Sequence, residues 1–256
     1  MGEDESISRP ADIIEYVAKK RGLPTQALNV PQFLMLTYHR SSFDFARKLI
    51  NGNCFEWLFP ESQLFSIGSL NGLEVGIGCF GMGAPAVSYS LEEAIACGAK
   101  IIFEVGFCGG IQPYIQPGDV LVVTGAIRDE GTSYHYFPPE VEVMSDSVMR
   151  DELIRLFKRK AIRHFTGSVW STDGAYRETR RKLLKFRNEG VLAVDMETSA
   201  VFAVAKYRNI RAASAQVVSD LLTENGWRLE FGNHSVEESM KNTLQSVLET
   251  FSRITK

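Results

Sequence analysis

Cysteine is scarce in this chain of 256 residues, and what there is does not pair. Cys54, Cys79, Cys97 and Cys108 show no Cys-x-x-Cys spacing and fall mostly in apolar segments. Reduced core thiols are therefore expected, which sets aside a disulfide framework and points to a reducing, cytoplasmic setting. Histidine is as sparse: His39, His135, His164 and His234 lie far apart with no ligand spacing between them, so no metal site is expected. Charge of one sign is lacking too. A net charge of −3 and a pI near 5.9 give no reason to expect nucleic acid or a membrane surface as partner. No apolar run reaches the roughly 18 residues of a membrane span, and Met1-Gly-Glu-Asp-Glu-Ser has no apolar core of a signal peptide. Gly2 and Ser6 fit a loose myristoylation pattern, but the residues between them are acids. Linker-like, repeated and low-complexity segments are absent as well, so one large unit that buries about three quarters of its unfolded surface is expected.

What is present is an alternation of periods. Helices are expected over Pro10–Lys20, Ser41–Ile50, Ala84–Ala96, Ser147–Lys158, Tyr176–Asn188 and Val236–Ile254. Strands are expected over Gln32–Tyr38, Leu64–Ile67, Leu73–Cys79, Ile101–Val105, Val120–Ile127 and Phe165–Trp170, with Asn71-Gly72 as a hairpin turn. This order implies an α/β protein with a mostly parallel sheet covered on both faces.

The stretch Val191–Asp220 concentrates the chemistry. An apolar strand, Val191–Val194, runs into Asp-Met-Glu and a nearly apolar helix, and a second strand, Ala212–Val218, ends on Ser219-Asp220. Glu197 thus stands at a strand-to-helix junction, where ligands gather in open α/β sheets and where the helix dipole favours a carboxylate. Alone, Glu197 reads equally well as a helix N-terminal charge and Asp220 as a helix cap. Two acids on neighbouring strand ends suggest a site.

Gly76-Ile-Gly-Cys-Phe-Gly81 matches the dinucleotide fingerprint, with Glu104 at about the distance of a ribose-binding acid. That fingerprint should follow a complete strand, and here only Leu73 to Val75 precede it after the turn. The glycines are better explained by close packing inside a strand.

Val-Asp-Met-Glu-Thr-Ser-Ala followed by a strand ending Val-Ser-Asp resembles the signature of the hexameric nucleoside phosphorylase family, which includes purine nucleoside phosphorylase, uridine phosphorylase and methylthioadenosine nucleosidase. Gly81-Met-Gly83-Ala-Pro-Ala, Val105-Gly106-Phe107-Cys-Gly-Gly and Ala126-Ile-Arg128-Asp-Glu-Gly-Thr-Ser-Tyr-His-Tyr-Phe-Pro resemble uridine phosphorylase in order and spacing. The resemblance implies a single three-layer domain over residues 1–256, with a mixed central sheet flanked by helices and a helical extension at residues 1–30. It implies cleavage of a nucleoside N-glycosidic bond by phosphorolysis to base and ribose 1-phosphate. Nucleoside and phosphate would be the substrates, no cofactor would be needed, and the assembly would be a homodimer or hexamer. Glu197 would hold the ribose hydroxyls, Met196 would pack on the sugar, and Asp220 would act on the leaving base. Tyr176 is the stacking candidate in place of the family's phenylalanine, or a helix-start core residue. Arg177 and Arg180 reach a base or phosphate, or are surface charges.

At the phosphate position the chain departs from the pattern. Glu104 stands where the resemblance expects an arginine, Phe107 replaces a Ser or Thr, Arg40 and Arg47 are only approximate substitutes, and no arginine stands near Pro60-Glu-Ser. At about 4 Å and an effective dielectric near 20, exchanging one unit charge for its opposite changes anion binding by up to about 8 kcal/mol. Either Glu104 turns away or pairs with Arg128, or phosphate is not bound in the familiar manner. Two alternatives follow: a nucleoside hydrolase in which Glu104 positions water, and a silent nucleoside-binding relative.

Overall fold

The structure, a computed structural model, describes residues 6–58 and 63–255. Gly2 and the Pro60-Glu-Ser segment lie outside them. Pro10 opens α1 (Pro10–Arg21), where its missing N–H has no helical acceptor to lose, and Gly22 at φ 66° closes it. There follow β1 (Phe33–Thr37), α2 (Arg40–Leu49), β2 (Asn53–Phe55), β3 (Leu64–Leu70), β4 (Leu73–Cys79), α3 (Ala84–Ala96), β5 (Ile101–Gly110), β6 (Val120–Asp129) and the short β7 (Val143–Met144). The second half holds α4 (Ser147–Arg159), β8 (His164–Thr172), α5 (Arg180–Asn188), β9 (Ala193–Asp195), α6 (Thr198–Tyr207), β10 (Arg211–Thr223), β11 (Gly226–Leu229) and α7 (His234–Ile254).

The strands form one mixed sheet in the order β11-β10-β6-β8-β9-β5-β1-β4-β3-β2, and a further pairing of β10 with β5 closes β5, β10, β6, β8 and β9 into a ring. β1 lies parallel to β4 and β5, and β5 parallel to β10, whereas β9 runs antiparallel to β5. The period of two along each strand divides the core. Leu34, Leu36 and Ile102 face α1, α3 and α6, while Phe33, Met35, Phe103 and Val105 face α2, α4 and α7. This is the expected helix-covered α/β architecture. Each fully buried large side chain, such as Phe251 on α7, contributes roughly 1.5–3 kcal/mol.

Several boundaries differ from the sequence expectation for local reasons. α5 starts at Arg180 because Thr179 caps it, accepting the Lys182 N–H, and Ala175–Arg177 form a separate 3-10 turn. α2 starts at Arg40 with His39 at the cap, ahead of Ser41 and Ser42. β10 runs through Asp220 to Thr223 and turns at Glu224-Asn225 into β11, so Asp220 is a strand residue and no helix cap. Gly76 and Gly78 lie within β4, where a Cβ would fall 2.9 Å from the Phe65 ring and 2.6 Å from the Phe80 ring. They serve aromatic packing, as the position of the hairpin turn implies. Among the described residues no helix is long and apolar enough to cross a membrane.

Candidate active site

β9 is short because Asp195-Met196-Glu197 leaves the sheet to enter α6. Glu197 takes the cap position of that helix, and its carboxylate accepts the Gly83 N–H at 2.5 Å and the Met196 N–H at 3.3 Å. Gly83, at φ 95°, turns the chain into α3 and aims its N–H at this acid, a backbone conformation that L side chains rarely adopt. Glu197 is 5% exposed, and burial, followed by the charge of Asp195, pushes its pKa up to about 8. The carboxyl is thus held by two backbone donors, and its charged form is short of partners. Hydroxyl donors from a ligand would supply them.

Beneath it, the entry to α6 rests on a buried polar bed. Glu104 on β5 accepts the Tyr38 hydroxyl at 2.5 Å and lies 2.8 Å from Thr198 Oγ1, which also hydrogen-bonds Asp195. Gln216 Nε2 donates to the same Thr198 oxygen at 3.1 Å, and Ser171 donates to Asp195 at 2.5 Å. Thr198 has one proton to give and two carboxyls to satisfy, so one of Glu104 and Asp195 must itself carry a proton. Burial raises both acids, and the charge of Glu104 raises Asp195 further, which makes such sharing favourable. Gly106 makes room for this arrangement, since a Cβ there would fall 2.6 Å from Gln216 Oε1 and 3.2 Å from the Tyr38 ring.

Asp220 lies one strand away. Its carboxylate accepts Ser219 Oγ at 2.7 Å and Trp227 Nε1 at 2.6 Å, and Gly109 opposite it leaves the space, a Cβ there falling 2.8 Å from Asp220 Oδ2. Gly109 pairs with Val194 on one side and Asp220 on the other, so the strand leading to Glu197 and the strand carrying Asp220 flank the same point of β5. Burial raises the Cys108 thiol between them, and the charges of Asp195 and Asp220 raise it further. Glu178 is pushed up to about 7, by burial and then by Asp220.

Glu197, Met196, Gly83, Gly106 and Glu104 are therefore brought together, and Asp220 lies on the strand that pairs with β5 at Gly109. Other expected residues are elsewhere. Arg128 does not pair with Glu104; its guanidinium clamps the following loop through Ser133 Oγ and the carbonyls of Phe137, Pro138 and Val141. Arg40 is exposed and paired with Asp44 at 2.8 Å, one helical turn on. Phe107 faces the opposite side of β5 from Glu104, its ring 4.8 Å from that of His39, and lines a cavity of about 210 Å³ between α2 and α7. Tyr176 is 90% exposed, and Arg180 pairs with Glu224 on the surface. Asp195 and Thr198, within the Val-Asp-Met-Glu-Thr-Ser-Ala stretch, also belong to the site, as do Tyr38, Gln216 and Trp227, which carry no sequence signal of that role apart from the Asn225-Gly226 turn that could have placed β11. Among the described residues no group of three or more His, Cys, Asp or Glu side chains is placed to hold a metal ion.

The chain is similar to known nucleoside phosphorylases. A guanosine phosphorylase of Halorubrum lacusprofundi is 27% identical over 188 residues, 73% of this chain and 78% of that protein. A uridine phosphorylase of Thermococcus kodakarensis is 26% identical over 244 residues, 90% of this chain and 80% of that one. A DeoD-type purine nucleoside phosphorylase of Limosilactobacillus reuteri is 29% identical over 163 residues, covering 60% and 66%. The crystal structure of uridine phosphorylase from Vibrio fischeri superposes with a TM-score of 0.80 at 24% identity, over 89% of this chain and 93% of that one, a likeness of fold. The family model described as the phosphorylase superfamily matches residues 44–256, and the chain belongs to that superfamily.

Proposed function

We propose that this protein cleaves the N-glycosidic bond of a nucleoside, transferring the ribose to phosphate. One observation carries the reading: a buried carboxyl, Glu197, held by backbone N–H groups at a helix start, follows a strand that pairs with β5 at Gly109, the residue that pairs on its other side with a second buried acid, Asp220. In bond cleavage the sugar gains positive charge and the base negative charge. Glu197 accepts the ribose hydroxyls and favours the cationic sugar, Met196 packs beside it, and Asp220 protonates or hydrogen-bonds the departing base. The relatives are phosphorylases of guanosine, uridine and purine nucleosides, which supports phosphate as the acceptor.

A second reading, hydrolysis, is favoured by one specific contact. Glu104, where the resemblance expects a phosphate-binding arginine, is tied to Tyr38 and Thr198, and Arg40 and Arg128 are engaged elsewhere. Base release from inosine, guanosine, adenosine and uridine, followed with and without phosphate, tests both. Release that depends on phosphate supports phosphorolysis; release independent of it selects water as nucleophile; no release from any of them refutes the cleavage reading.

A further inference from the structure

The hairpin of β10 and β11 carries an aromatic side chain that the reaction chemistry does not require. Register pairs Asp220 with Leu229 and Leu222 with Trp227, which sets these four residues on one face of the ribbon. From there the Trp227 indole reaches diagonally across to Asp220, its N–H 2.6 Å from Oδ2. Half of Trp227 remains exposed, in contrast to Trp57 and Trp170 at 0%. Tyr176, 90% exposed, stands edge-on to it at 6.4 Å. The two rings, 77° apart in plane and left in water beside a buried acid, form an aromatic corner with a polar floor, a surface on which a planar polar ring can pack.

A carboxylate oxygen has two lone pairs, so Asp220 can accept a ligand donor while keeping the indole. Two donors on one carboxylate lie within a few ångströms of each other. A ring that donates to Asp220 therefore touches Trp227.

We propose that Trp227 is a ligand-contacting, specificity-determining residue, whose indole with Tyr176 forms the wall against which a heteroaromatic ring bearing an N–H donor packs while that N–H reaches Asp220. The proposal rests on the nucleoside reading above and assigns the place of the base. It favours rings that offer a donor to the carboxylate over isosteric rings that do not, because Asp220 would then stay desolvated without a new partner.

The test uses the native protein with free adenine, hypoxanthine and uracil, and with ribose as control, and needs no turnover. Acrylamide quenching of tryptophan emission reports chiefly on Trp227, the other two indoles being buried. A bound base is expected to shield Trp227 and lower the quenching towards that of Trp227→Phe, while ribose leaves it unchanged. Trp227→Ala is expected to weaken base binding by roughly 10- to 100-fold, the range of base–aromatic stacking, and Trp227→Phe by much less. Shielding without any catalysis supports this inference even as the cleavage reading fails. Base binding seen by calorimetry with quenching unchanged overturns the inference and leaves the cleavage reading standing. Equal affinity in wild type and Trp227→Ala also overturns it, and no binding by any base overturns both.

Discussion

Glu197 is the residue on which the proposed chemistry turns. Its carboxyl has a fixed position, two neutral donors and no cation, so the hydroxyl donors of a ligand would favour its charged form. Replacing it with Gln keeps the size and removes the charge. Glu197→Gln is expected to lower kcat/KM for nucleoside cleavage by about 100-fold or more, the magnitude of losing one transition-state charge contact, with the circular dichroism spectrum unchanged; near-normal kcat/KM in the variant contradicts the role. Asp220→Asn is expected to reduce purine turnover by a similar order, because the amide cannot give the departing base a proton. Uridine and inosine assayed side by side check this. Both acids were legible in the sequence, since Asp-Met-Glu and Val-Ser-Asp are contiguous motifs at strand ends. Tyr38, Gln216 and Trp227 were not, since each joins the site through a contact between residues far apart in the chain.

At the scale of elements, β5 is what holds the site together. Beyond Val105 it pairs with β10 on one side and, at Gly109 and Gly110, with β9 on the other, and its glycines let neighbouring side chains approach it closely. A Cβ at Gly106 must displace the Tyr38 ring or the Gln216 amide, both of which support Glu104 and Thr198. Gly106→Ala is therefore expected to cost about 1–3 kcal/mol of stability by overpacking, read as a lower urea midpoint at unchanged m-value; an unaltered midpoint would show that Tyr38 and Gln216 move freely. The expected strand stopped at Val105 because Gly106 and the Gly109-Gly110 pair break the apolar run. The structure continues it, since pairing to β10 and β9 supplies what those residues lack in side-chain packing. β10 passes the expected end at Val218 in the same way, paired to β5 and β11. Helix positions were read well, because α3, α4 and α7 carry a 3.6-residue apolar period that packing on the sheet preserves.

On the scale of the whole molecule, the buried acids tie stability to pH. Glu197 is pushed up to about 8 by burial and by Asp195, and Asp195 is raised by burial and by Glu104. A carboxyl raised in the folded state holds a proton that the unfolded chain has already released. Its favourable contribution is present at low pH and falls as pH rises from about 4.5 through about 8. Thermal unfolding followed between about pH 5 and about pH 8 is expected to show wild type losing stability relative to Glu197→Gln, by up to about 1.4 kcal/mol per pH unit. A constant difference between the two would mean that Glu197 is ionised throughout.

The central claim is that one nucleoside spans Glu197 and Asp220. A crystal structure of the protein with a bound nucleoside tests it most directly. The account predicts the ribose 2′- and 3′-hydroxyls within hydrogen-bond distance of the Glu197 carboxylate, with the base edge donating to Asp220 beside the Trp227 indole. A nucleoside bound elsewhere, or one whose sugar leaves Glu197 bonded only to Gly83 and Met196, would contradict it.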